Sequence, residues 1–240
     1  MSTPFGVVLL LGLIAGLADV AGGLLLLRFR AERMLHGFVA FGAGFLIAVA
    51  LVDMVPESLT AAPRFAALWI LAGFCGVHLL EHTLVAHFHF GEETHAEEFL
   101  RRSTAYSVTF GLAAHTFFDG IAIASGFAFS SALGWLISTG MLLHKLPEGF
   151  TVGSVMLASG RSARTAFIAA STLGGATVAG VIAIHFLPGL ATVGLPISAG
   201  VALYVAGTDL LPEVNRAHGV QYRFLFFLGV GAFLLARVIS

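Results

Sequence analysis

Eight apolar stretches, at 5–27, 37–58, 64–84, 104–128, 132–157, 164–187, 192–213 and 222–239, account for most of this chain. Each is close to the ~20 residues a helix needs to cross the hydrocarbon of a bilayer. Lipid offers backbone groups no partner, so a spanning segment must satisfy its own, as a helix does. Only 10% of the residues are charged, where a soluble domain carries about 25%. The expected fold is therefore all-α: a polytopic membrane protein of eight transmembrane helices. The first stretch has no basic run before it and continues past Asp19 to about Leu27. It reads as a retained helix rather than a signal peptide. Twenty-nine glycines suit helices that approach one another closely in lipid. Cys75 is the single cysteine, so no intrachain disulfide can form, and no basic patch is present for nucleic acid.

Arginine placement orients the spans. With both termini outside, Arg28, Arg30, Arg33, Arg101, Arg102, Arg161, Arg164, Arg216 and Arg223 face the cytoplasm, and only Arg64 and Arg237 lie outside. That asymmetry follows the positive-inside rule and predicts extracellular or periplasmic termini. The expected location is the cell membrane, the inner membrane in a bacterium.

The chain also repeats itself. Gly44–Glu57 in span 2 and Gly200–Glu213 in span 7 share six of fourteen residues, including Asp-x-x-Pro-Glu. The two spans cross in opposite directions. Spans 4 and 5 form a second antiparallel pair, with His115-Thr-Phe-Phe-Asp119-Gly120 in one and His144-Lys-Leu-Pro-Glu148-Gly149 in the other. Three helices, a central pair and three helices make an inverted 3+2+3 repeat, an architecture common among secondary transporters, whose substrate sits near the midplane. Residues 1–240 are accordingly expected to form a single transmembrane transporter domain.

Spacing of four puts His115 and Asp119 on one face of their helix, and His144 and Glu148 on one face of theirs. Ionisable groups at membrane depth are costly and mark places where something binds or passes. Facing each other, the two helices would offer two imidazoles and two carboxylates to one divalent cation, a set that suits Zn²⁺ and, less selectively, Fe²⁺, Mn²⁺ or Cd²⁺. The metal is expected as transported substrate, with no cofactor. The plainer alternative is an interhelical polar clamp, but a hydrogen bond between membrane helices contributes only about 0.6 kcal/mol on average. Pro147 is expected to kink span 5 and free the Leu143 carbonyl as a further oxygen ligand. His78 and His185 read as packing residues.

Lys145 lies beside His144, one turn from Glu148 and too deep to snorkel. It is either a charged built-in counter-ion, pairing with Glu148 or Asp119, or neutral when metal is bound. Asp53 and Glu57, at the outer end of span 2, and Asp209 and Glu213, at the inner end of span 7, are candidates for drawing a cation in and releasing it. Asp53 and Asp209, a turn deeper, are the better placed, while the glutamates also read as solvated helix ends. Asp19 is a path candidate with no partner evident in sequence. The segment 85–103 is a cytoplasmic His/Glu-rich loop; with His82, its His87, His89 and His95 make either a weak metal-binding tract or a solvated loop.

With its eight spans, external termini, His-bearing loop between spans 3 and 4, and paired motifs of spans 4 and 5, the chain resembles the ZIP (Zrt-/Irt-like) divalent-metal transporters. The resemblance implies uptake of Zn²⁺ or a similar ion toward the cytoplasm and assembly as a homodimer. It also implies an elevator-like movement of spans 1, 4, 5 and 6 against spans 2, 3, 7 and 8. Members with a two-metal centre usually have Asn after the span 4 His, an acid after the first span 5 ligand and Glu in span 6. Thr116, Lys145 and Thr177 stand in those places here. The second site therefore looks dismantled, with Lys145 supplying its charge, leaving one site of His115, Asp119, His144 and Glu148. An intramembrane zinc-dependent hydrolase, its metal activating water, is the alternative function; a polar-cored receptor or structural protein is a third.

Overall fold

The computed structural model describes residues 3–25, 32–81, 102–217 and 219–239, and among these every regular element is helical. Eight helices follow the eight apolar stretches: α1 (Phe5–Leu25), α2 (His36–Ala61), α3 (Ala66–Leu79), α4 (Arg102–Phe129), α5 (Ser131–Ala158), α6 (Ala163–Phe186), α7 (Pro188–Arg216) and α8 (Val220–Ile239). The chain is a polytopic membrane protein. Side-chain caps set the tight turns between helices: Leu133 N donates to Ser130 Oγ before α5, and Thr165 N donates to Ser162 Oγ before α6. Gly160, at φ 74°, ends α5 in a left-handed turn in which Arg161 N donates to Met156 O and Gly160 N to Leu157 O. Of the segment 85–103 expected as a loop, Arg102 and Ser103 belong to α4. His82 and residues 85–101, including His87, His89 and His95, lie outside the described residues.

The inverted repeat is visible in how the helices meet. α1 packs on α5 and α6 on α4; α2 packs on α8 and α7 on α3; α2 meets α5 and α7 meets α4. Exchanging α1 with α6, α2 with α7, α3 with α8 and α4 with α5 maps each contact onto its counterpart. The matching Asp-x-x-Pro-Glu motifs carry a matching local distortion. Pro56 and Pro212 have no N–H to donate, and both helices widen into a π turn just before the proline, over Ala50–Met54 and Val205–Leu210. Val55 N donates to Ala50 O in one, and Leu211 N donates to Ala206 O in the other. Asp53 and Asp209 each lie inside their π turn.

Glycine lets paired helices touch backbone to backbone. A Cβ on Gly44 would run into Phe226 O of α8, and one on Gly229 into Phe41 O of α2; Gly73 and Gly200 do the same for α3 and α7. Gly44→Ala is expected to cost at least about 1–3 kcal/mol by overpacking and to lower the melting temperature in detergent. Gly231→Ala on α8, where nothing lies within 4 Å, should be neutral or mildly stabilising through helix propensity.

Candidate metal centre

The four residues singled out in spans 4 and 5 meet. Ligand atoms of His115, Asp119, His144 and Glu148, all buried, lie within 4.8 Å of one another. The spacing of four puts each pair on one face of its helix, and the contact of α4 with α5 brings the faces together. His115 Nε2 stands 3.3 Å from Asp119 Oδ2 and 3.9 Å from Glu148 Oε1, and His144 Nε2 stands 3.4 Å from the same Asp119 oxygen. His144 Nδ1 is 3.1 Å from Gly140 O. A carbonyl only accepts, so Nδ1 donates to it and the ring is held with Nε2 facing the cluster. Glu148 Oε1 has no hydrogen-bond partner. Zn–N and Zn–O bonds of about 2.0–2.2 Å place two ligands of one ion at most about 4.4 Å apart. Four tetrahedral ligands of such an ion stand roughly 3.3–3.6 Å apart, so the cluster has to close by about 1 Å at its widest to hold a divalent cation.

Lys145 is fully buried and charge-paired within this cluster. Its Nζ donates to Asp119 Oδ2 at 2.6 Å and to Glu148 Oε2 at 2.8 Å, with Asp19 Oδ2 of α1 at 3.8 Å. Both partners that the sequence offers Lys145, Glu148 and Asp119, are its partners here. Thr116 and Thr177 are buried, but their hydroxyls donate within their own helices, to Ala113 O and Leu173 O.

A cavity joins the cluster to residues outside it. His115, His144, Pro147 and Glu148 line it together with Asp209 of α7 and Glu81, just beyond α3. Sequence reasoning passed over Glu81; an acid at the end of an apolar span was its only signal. Asp53 does not line this cavity. Its Oδ1 accepts from Arg237 Nε of α8 at 2.6 Å, with Arg237 half exposed. Glu213 accepts from His36 at 3.1 Å rather than ending its helix in solvent. His185 stacks on Phe5 with ring centroids 3.6 Å apart, and His78 lies edge-on to Tyr204. α5 continues through Pro147, and the Leu143 carbonyl lies against Gly42 of α2.

The family described as ZIP Zinc transporter matches residues 91–237. Zinc transporter foi of Drosophila melanogaster is 28% identical over 141 residues, which is 55% of this chain and 20% of foi. Human Zinc transporter ZIP4 is 30% identical over 132 residues, 53% of this chain and 20% of ZIP4. Zinc transporter YKE4 of Saccharomyces cerevisiae is 26% identical over 216 residues, 77% of this chain and 62% of YKE4. The chain thus spans about a fifth of the length of the first two relatives.

Proposed function

We propose that this chain, which belongs to the ZIP zinc transporter family, carries a divalent transition metal, Zn²⁺ first among them, across the cell membrane into the cytoplasm. The family is one of transporters, not enzymes, and the hydrolase alternative has no support. Zinc here is cargo rather than cofactor. The observation that carries the reading is the meeting of His115, Asp119, His144 and Glu148 from two antiparallel helices, buried and within reach of one ion. These four form the transport site, and Lys145 holds the place of a second cation. A route of this kind needs acids on both sides of the midplane. Asp209 and Glu81 share the site's cavity and serve the inner side, while Asp53 serves the outer side. Both termini face outward, and the working unit is a homodimer, as the family resemblance implies.

The test is Zn²⁺ flux into proteoliposomes containing the purified chain, with Fe²⁺, Mn²⁺ and Cd²⁺ as competitors. Saturable uptake is expected, and flux no greater than that of empty vesicles would overturn the proposal. The outer route has its own test. An arriving cation must take Asp53 from Arg237, so Asp53→Asn is expected to raise the apparent KM for Zn²⁺ several-fold while leaving the maximal rate nearly unchanged. A fall in maximal rate at constant KM would remove Asp53 from the route.

A further inference from the structure

We infer that Asp19 is a positioning residue of the metal site: it is the carboxylate onto which Lys145 swings when a cation takes Asp119 and Glu148. The inference rests on the transport-site reading above. Lys145 Nζ, at 2.6 Å from Asp119 and 2.8 Å from Glu148, now occupies two of the acids that the cation needs. A divalent ion bound to both would stand beside the ammonium and repel it strongly in a buried setting. The side chain needs somewhere to go. Asp19 Oδ2 is 3.8 Å away, too far for a hydrogen bond, and neither oxygen of this fully buried carboxylate has a hydrogen-bond partner. A buried carboxylate in that condition is costly until something pairs with it. A shift of about 1 Å at the end of a flexible lysine stem completes the pair.

Asp19 reaches this position through a local feature of the repeat. A Cβ on Gly149 would run into Asp19 O, so the glycine that follows Glu148 lets α1 come this close. In the other half, Gly120 follows Asp119 and meets Thr177 O of α6 in the same way. Asp19 and Thr177 are thus counterparts, and only the α1 side carries an acid. Formal charge agrees with the role. Counted with all three acids ionised and both imidazoles neutral, Asp19, Asp119 and Glu148 against Lys145 sum to −2, and one divalent ion brings the sum to zero. Without Asp19 the loaded centre would hold an uncompensated +1.

Zn²⁺ affinity is to be measured on the intact chain in detergent, by competition with a chromophoric chelator. The variants are Asp19→Asn, Lys145→Met and the two combined. Asp19→Asn is expected to weaken Zn²⁺ binding by about tenfold or more, because Lys145 then stays on the ligands. Lys145→Met alone should tighten binding, and the double variant should return to within about threefold of wild type, since its loaded centre is neutral again. A purely structural Asp19 would lose the same affinity in both backgrounds, and that result, or wild-type affinity in Asp19→Asn, overturns the inference. Where Asp19→Asn does not fold, the zinc-loaded wild-type structure decides. Nζ within about 3 Å of Asp19 supports the swing; Nζ still bound to both Asp119 and Glu148 beside the ion refutes it. Wild-type protein that binds no Zn²⁺, or binding that survives His115→Ala and His144→Ala, removes the transport-site reading itself. Wild-type binding lost in those variants but unaltered by Asp19→Asn removes only the role of Asp19.

Discussion

His115→Ala and His144→Ala are each expected to abolish Zn²⁺ uptake in proteoliposomes while the protein still reaches the membrane. Each substitution takes one nitrogen from a four-residue cluster that has none to spare. Loss of an outer hydrogen bond to a metal ligand already lowers metal affinity ten- to a hundredfold, so losing the ligand itself should cost about a hundredfold or more. His144→Ala also removes the ring that Gly140 O orients. Alanine leaves a small polar cavity rather than a charged orphan, so melting temperatures should change far less than transport does. Near-normal uptake in either variant would defeat the assignment.

Lys145→Asp is expected to convert a one-ion centre into a two-ion centre. With three acids around one ammonium, the native cluster has room, electrically, for one divalent cation. The substitution turns −2 into −4, which two divalent ions neutralise, and it adds a carboxylate next to Glu148. Burial makes the change far larger than that produced by an exposed ion pair. Metal stoichiometry by elemental analysis, or ion positions by anomalous scattering, reads the outcome directly. Two ions side by side in the wild-type centre, with Lys145 turned away, would sink the single-ion arrangement.

The convergence of His115, Asp119, His144 and Glu148 was readable because each pair is local, four residues apart on one helix, and only one helix contact was needed to join them. The repeat was readable for the same reason, as a short motif copied at a constant offset. What escaped was set between distant segments. The bond from Arg237 to Asp53 spans 184 residues. The approach of Asp19 to Lys145 depends on a missing Cβ at Gly149, and nothing in span 1 announces it. The π turns at Asp53 and Asp209 are a middle case. Their prolines were visible, but the backbone's choice to widen rather than kink was not.

The glycines give the molecule a grain, as wood has. Within the group α1, α4, α5 and α6, backbone meets backbone: Gly16 against Gly174, Gly22 against Leu146 O, Gly180 against Phe117 O. Such joints have almost no side-chain relief to rearrange, which suits the movement of these four helices as one piece that the family resemblance implies. Where this group faces the rest, glycine mostly meets side chains: Gly140 of α5 lies under Phe45 and Val49 of α2, and Gly194 of α7 under Ile121 of α4, while Gly42 of α2 touches the Leu143 carbonyl at a looser 3.3 Å. Glycine beneath side chains is a surface suited to sliding by small rotamer changes, the shear kind of motion. Split along its grain, the protein would part between α5 and α2 and between α4 and α7, with the four converging residues and Lys145 carried whole on one side of the cut.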